Sequence, residues 1–569
     1  MSMRPHILIS VLATISSILG FLLPSASAQT VPVGTPVMEE YMRRMQLLGK
    51  LDENVSFNIR PLYPVEAFQR VVGFDLDSSF TQIDSSEFHQ RWGDKYPLTF
   101  LVLPITNRMQ FTSNYAFGAN DGPMIPNRGF QNIFSLGIYT SFWKFSFQFQ
   151  PEILTAQNKD YQGFPIEHQS TILYYYEYLN RIDMPERFGE GSYNRFLPGQ
   201  SSFRINHKGL SLGVSTENLW WGPGKRSSLL LSNNAPGFLH YTLNTQKPIQ
   251  TKIGGFEWQL VAGTLKNSGY LPPHSDYIFQ QNPVFFPKRE GEDRYMSGLI
   301  ISYQPKWVPG FSIGYGSVNH MYKADMVKFE DYLPIFNGEK GLYNVFNPER
   351  DRRQQFSSGF FRWVSPEGHF EFYGEYGTRG NSIRAADFLI TPERNRGFTL
   401  GFSNLFPLKK ERQFIQISAE MTQTGQTIRQ SIRNLDTWYI HNHVRHGYTH
   451  RGQVMGVGYG PAANVNWVEI GWVRDFSRIA FQFERIVYNN DFYNFRYEAS
   501  KDWRNKYVDL VPSLIGEWRF GNLLVHGNFQ LVKTLNYKWY LENVPDIYFV
   551  PGLDKNNFVA NIGLTYILK

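Results

Sequence analysis

Cysteine is absent from all 569 residues, which removes disulfide frameworks, zinc–thiolate sites, thiol redox chemistry and an amino-terminal lipidated cysteine together. Charge is scarce too, with Asp, Glu, Lys and Arg making up 18% of the chain against about 25% in soluble globular proteins. The net charge of +7 is too slight a basic excess for a nucleic-acid partner. Beyond the first residues no apolar run is long enough to span a bilayer as a helix, and the mean hydropathy is −0.36, so a helical membrane protein is excluded. There is no Gly-x-Ser-x-Gly elbow, no phosphate-binding loop and no His-Glu-x-x-His pair. Those absences leave no catalytic residue and no cofactor to assign.

Aromatic residues are abundant, at 16%, led by Phe and Tyr. Low charge beside a high aromatic load is the profile of a transmembrane barrel with aromatic girdles. The amino terminus reads as a secretory signal over residues 1–28: Arg4 gives the positive region, residues 7–23 the apolar core, and Ala26-Ser27-Ala28 the cleavage site.

Residues 29–95 differ in pattern from the rest of the chain. Met38, Tyr41 or Met42, Met45 and Leu48 recur at helical spacing, with Thr35 as expected N-cap, Pro36 at the first position and Gly49 as the stop. Further short helices are expected over 64–71 and 85–92, the second opened by Asp84 with Glu87 three residues on. This region reads as a small helical element and not as barrel wall.

From about Leu98 the period becomes two. In residues 143–150 every odd position is aromatic and every even one polar, and 415–422 and 523–531 alternate in the same way. A large soluble sandwich could share this pattern, because alternation does not say which face points outward. The signal sequence, the aromatic load and a last alternating strand, 558–568, decide for a closed barrel without an edge. The expected fold is therefore an all-β transmembrane protein, an antiparallel outer-membrane β-barrel over 96–569 of about 18 strands, facing outer-membrane lipid. The stretches 161–199 and 322–353 carry no strand pattern and are expected to be outer loops or inward plugs.

Two motifs stand out. The first runs Glu217-Asn218-Leu219-Trp220-Trp221-Gly222-Pro223-Gly224, and continues through Leu229-Leu230-Leu231-Ser232-Asn233-Asn234-Ala235. The second is His446-Gly447-Tyr448-Thr449-His450-Arg451-Gly452. Together with Pro32-Val33-Gly34, the helix ending at Leu47 to Leu51, and Arg60-Pro61, they resemble the capsule assembly Wzi family over the whole mature chain. The resemblance implies an outer-membrane barrel with a periplasmic helical bundle at its amino terminus. It also implies a lectin, not an enzyme, that helps hold capsular or another exported polysaccharide at the surface, with periplasmic export machinery as a further candidate partner.

Read from the residues alone, Trp220 and Trp221 end a strand before a tight turn. They would either anchor the barrel at the headgroup level or stack on a sugar ring, beside Lys225, Asn233 and Asn234 as hydrogen-bonding groups. Arg445, His446, Tyr448 and Arg451 form the second candidate glycan contact. His441, His443, His446 and His450 raise the alternative of a metal site, which is not assigned. Glu371 and Glu375, four apart on one strand face, raise the alternative of a glycan hydrolase, and the inward charges that of a porin-like channel.

Overall fold

The computed structural model describes residues 30–35, 37–63, 91–92, 96–165, 169–288, 292–333, 352–379, 396–426, 437–497, 506–539 and 553–568. The expected signal sequence and most of the two later helices lie outside these residues. Arg91–Trp92 is extended, not helical, and pairs with Pro97 and Tyr96.

Eighteen antiparallel strands close into one barrel. They are β1 Tyr96–Phe117, β2 Asn127–Phe142, β3 (Phe145–Phe149 and Glu152–Ala156) and β4 (Tyr193–Leu197 and Ser202–His207). Beyond them lie β5 Leu210–Ser215, β6 His240–Thr245, β7 Gly254–Leu265, β8 Arg294–Pro305, β9 Phe311–Tyr322 and β10 Arg353–Ser365. Next come β11 Phe370–Arg379, β12 Arg396–Pro407, β13 Gln413–Gln423 and β14 Asn464–Arg474. The circuit ends with β15 Ser477–Val487, β16 Val508–Phe520, β17 Leu523–Leu535 and β18 Lys555–Tyr566. β18 pairs with β1, from Val559 opposite Thr112 to Tyr566 opposite Ile105, and no edge is left. Tyr193–Leu197 is a correction: it is wall strand within a stretch expected to be loop.

The direction of the alternation is settled by burial. In β3 the odd residues Phe145, Phe147 and Phe149 are exposed on the outside, while Ser146, Gln148 and Gln150 are buried in the lumen. Apolar residues outside and polar residues inside is the reverse of a sandwich, and it follows from lipid being the outer solvent. Among the described residues no helix is long and apolar enough to cross a membrane.

Connections alternate between short turns at one end, such as 143–144, 208–209 and 521–522, and long loops at the other. Short turns mark the periplasmic end of such barrels. The interior is not open. Residues 30–63 enter from the short-turn end, with helix α1, Met38–Leu47, placing Arg43 against Glu371 of β11. Loop 216–239 turns inward to meet them: Trp220–Trp221 pairs with Arg60 and Ile59 as a two-stranded sheet inside the barrel. Residues 437–463 close the stack from the far end, where the Ser232 amide donates to the Met455 carbonyl at 2.9 Å. Helices α2, Gln169–Leu179, and α3, Asn490–Tyr497, pack beside them in an aromatic cluster with Trp539.

Helix α1 forms because Glu39 and Glu40 sit in its first turn and Arg44 in its last, matching the helix dipole, while Met38, Tyr41, Met42 and Met45 are buried. The expected cap is corrected. Val37 holds the cap position without a side-chain bond, and the Thr35 hydroxyl donates instead to the Pro32 carbonyl at 2.8 Å. Gly49 has φ +67 just past the helix, a conformation that favours glycine as a stop.

Candidate functional site

The first motif is luminal and buried. Trp221 has no exposed surface, and its indole Nε1 donates to Gln259 Oε1 of β7 at 2.7 Å. Trp220 is stacked under the Arg60 guanidinium, 4.4 Å from the ring centroid. Both expectations for this pair are thereby corrected: neither ring reaches the headgroup level, and neither offers a face to a sugar, because the strand that ends at Ser215 delivers them into the lumen and not along the wall. Asn233 accepts from Asn218 Nδ2 at 2.7 Å and donates to the Asn120 carbonyl at 3.0 Å. Asn234 donates to the Val454 carbonyl at 2.9 Å and accepts from the Asn120 amide at 3.1 Å. These amides tie loop 216–239 to its neighbours, as buried amides must.

Lys225 is buried between two carboxylates, 3.2 Å from Glu40 and 3.1 Å from Glu371. Burial acts to raise the Glu40 carboxyl, and Lys225, Arg478 and Arg44 around it more than offset this and hold it at about 2. Glu217 repeats the pattern at the other side of the plug. Burial acts to raise it, but Arg204 at 2.5 Å and the hydroxyls of Thr30 and Ser215 keep it below the ordinary carboxylate range. The plug is thus fastened by charges that are paired and hydrogen-bonded, the condition under which buried ions are tolerated. Arg60 adds two bonds to backbone, to the carbonyls of Gly222 at 3.1 Å and Gly224 at 2.8 Å.

Glu371 and Glu375 do not form an acid–nucleophile pair facing substrate. Glu371 is held by Arg43, Arg362 and Lys225, and Glu375 accepts the Leu229 amide at 3.2 Å. Both are buried under loop 216–239, so a sugar has no access to them.

The second motif is also mostly internal. The Tyr448 ring is fully buried against Phe356 and Tyr439. His446 Nδ1 lies 2.8 Å from the Tyr322 hydroxyl, and burial together with Arg294, Lys288 and Arg445 pushes its pKa far down. An imidazole buried to 4% exposure and held against Tyr322 offers no face or nitrogen to a glycan, which corrects its place in the second candidate contact. The other three histidines have separate partners: His441 accepts the Val444 amide, His443 meets Asp325, and His450 accepts the Lys266 amide. Among the described residues no three His, Asp or Glu side chains come together as a metal site. Arg445 directs its guanidinium to the carbonyls of Asn180, Pro287 and Phe286 at 3.0, 3.2 and 2.6 Å, so its donors hold two loops together.

Arg451 differs. It is half-buried at the mouth on the long-loop side, and its guanidinium makes no hydrogen bond among the described residues. It is placed by Gly452, whose φ of +81 and close approach to Ser268 and Phe188 leave no room for a Cβ, and by its amide, which donates to the Lys266 carbonyl at 2.8 Å. Close by stand three residues that sequence reasoning did not select. The Arg195 guanidinium covers the Tyr193 ring at 4.7 Å and donates to the Tyr270 hydroxyl at 3.1 Å. Phe188 supports both rings edge-on, at 5.5 and 5.9 Å. A half-exposed tyrosine can stack on a sugar ring, and the arginine bonded to it, with Arg451 following nearby on the neighbouring loop, can donate hydrogen bonds to the sugar's hydroxyls or carboxylate. Only the inward phase of Tyr193 and Arg195 along β4 could have marked them, and the strand itself was hidden in a loop-like stretch.

A cavity of about 280 Å³ remains between the plug and β14 to β18 with β1, lined by Arg108, Lys225, Trp467, Arg478 and His526 among others.

The sequence profile of the capsule assembly protein Wzi family matches residues 117–507. Among solved structures the chain is similar to Wzi of Escherichia coli, an outer-membrane protein involved in group 1 capsule assembly and described as a carbohydrate-binding β-barrel. The TM-score is 0.57 at 11% identity, covering 95% of this chain and 100% of that one. Acinetobacter baumannii OccAB2 is aligned with a TM-score of 0.39 at 10% identity, over 84% and 100% of the two chains. OccAB4 of the same organism gives 0.35 at 9%, over 82% and 97%. No curated protein sequence matches. The family match takes in more than half of the chain and both motifs, which are the residues that build the luminal plug and the mouth, and on that ground the chain belongs to the capsule assembly Wzi family of outer-membrane β-barrels.

Proposed function

We propose that this protein binds an exported polysaccharide, capsular in kind, and holds it at the cell surface without cleaving it. The observation that carries the reading is the filled lumen: residues 30–63, 216–239 and 437–463 interlock inside the wall, which sets the chain against a porin-like channel and leaves the long-loop mouth as the working surface. Membership of a capsule assembly family supplies the polymer class. At the mouth, Tyr270 gives a stacking face, Arg195 gives donors held in place by Tyr193 and Tyr270, and Arg451 gives donors on a fixed backbone. A polymer meets such a site once per repeat, so modest contacts accumulate into retention.

Replacing Arg451 by alanine removes a charge-assisted contact worth about 1.5–3 kcal/mol, and the expected result is about a tenfold or greater loss of affinity for the cell's own polysaccharide. Tyr270→Ala is expected to weaken binding further, with Lys247→Ala, in an exposed turn at the opposite end, unchanged. Binding of purified, folded barrel to the polysaccharide in a glycan-capture assay reads this directly. Equal affinity for all three variants and the parent would remove the mouth cluster from the binding site.

A further inference from the structure

The long loop after β9 does something other than cap the mouth. Along β8, Arg294, Met296 and Ile300 face the lumen, the last two in the main core, so Tyr295 faces outward. The Tyr295 hydroxyl donates to the Tyr332 carbonyl at 2.9 Å, and the two rings meet edge to face at 5.8 Å. Tyr332 therefore lies against the outside of the wall, and residues 326–333 bend over the rim instead of into the barrel.

Burial along the same strands agrees. Lower on the outer face Ile301, Ile313 and Tyr315 are exposed, as lipid-facing residues are. Near the rim Ser297, Asn319 and Met321 also point outward, in phase with those three, yet all are buried. The wall is covered at this point. Residues 326–333, which meet this face through Tyr332 on Tyr295, present apolar groups in turn: Val327 is 73% exposed, Phe329 65%, Tyr332 47% and Leu333 42%. Four large apolar side chains that exposed within one short segment form a patch that water disfavours.

We propose that residues 326–333 form an overhang seated in the headgroup region of the outer leaflet, with Val327, Phe329 and Leu333 directed into lipid. The patch is continuous with the lipid-facing wall through Tyr295, and that continuity names lipid as its occupant. Aromatic residues at the boundary between acyl chains and headgroups have this anchoring role generally. Two 3-10 turns, Lys323–Asp325 and Phe329–Asp331, give the segment the shape to fold back, and the Asp331 carboxylate fixes it by accepting the amides of Val327 and Lys328 at 2.9 and 2.8 Å. The overhang would set the depth and tilt of the mouth relative to the membrane.

The absence of cysteine makes the test clean, since one introduced thiol is unique. Phe329→Cys and, separately, Val327→Cys are labelled with a bimane, and the full chain is reconstituted in phosphatidylcholine vesicles carrying lipids with nitroxide at the upper acyl chain. Gln280→Cys, on an exposed hairpin tip, is the reference. Lipid quenching at both positions is expected to exceed that at 280 by about twofold or more, as for a residue at the interface. Tyr295→Ala should lower the quenching at 329 by releasing Tyr332. Quenching at 327 and 329 equal to that at 280, in barrels that remain heat-modifiable on gels, would overturn the proposal.

Discussion

Glu371→Ala is expected to be the most destabilising single change in the barrel, lowering stability by about 3–5 kcal/mol. The carboxylate of β11 accepts from Arg362 of the neighbouring strand at 2.7 Å, from Arg43 of the plug helix at 3.0 Å, and lies 3.1 Å from Lys225 of the inserted loop. Wall, plug and loop thus meet on one side chain, and every partner is at most 6% exposed. Removing the anion leaves three buried cations facing one another, so repulsion adds to lost attraction. Glu375→Ala, by contrast, frees one backbone amide, for which about 1–3 kcal/mol is the usual effect. The onset temperature of the unfolded gel form, measured for both variants in detergent, separates the two cases. A Glu371→Ala barrel as resistant as the parent would show that the cluster does not hold the layers together.

The second large effect is on permeation. The intact chain is expected to pass little or no ion current in planar bilayers, whereas a chain lacking residues 30–63 and with the inward loops 216–239 and 437–463 shortened to linkers should conduct, because a wall of eighteen strands encloses a water-filled channel unless something occupies it. Residues 30–63 hold the periplasmic half of the lumen through Ser56 to Glu257, Asn58 to Ser302 and Ser312, and Arg60 to the Gly222 and Gly224 carbonyls. If the truncated chain does not fold, Arg60→Ala with Asn58→Ala loosens the same contacts in the full chain and should give intermittent openings. Porin-like current through the unaltered protein would contradict the filled lumen and restore the channel reading.

Much of the wall is legible from period alone. Phe145, Phe147 and Phe149 against Ser146, Gln148 and Gln150 are lipid face and lumen face, and the strand count follows from how much chain such segments need. What period two cannot show is a loop that leaves the wall. Trp220 and Trp221 look like a strand end in sequence because they are one, but their partner strand is Ile59–Arg60 inside the barrel. Nothing local to either segment records that pairing. The motif residues are unusual, as their pattern suggests, but not for ligand: Asn233, Asn234 and Tyr448 are unusual for what they do inside the plug. Helix α2 escapes sequence reading for a related reason. Its Leu-Tyr-Tyr-Tyr-Glu-Tyr-Leu run is apolar on nearly all sides, so no stripe marks a helix, and burial among loops replaces the one-sided face. Arg451 is recognisable because it is the one Lys or Arg within the second motif. Tyr193, Arg195 and Tyr270 are not, because they meet it only once β4 and the loop after β7 are placed.

The most direct measurement of the account is the division of polysaccharide between cells and medium, in cells lacking this chain and in the same cells given back the parent or the Arg451→Ala, Tyr270→Ala double variant. Loss of the chain should move polysaccharide from the cell fraction to the medium without lowering the total. The parent should restore attachment, and the double variant should not, although it reaches the outer membrane folded. An unchanged division in cells without the chain would contradict the claim that this barrel holds the polymer at the surface.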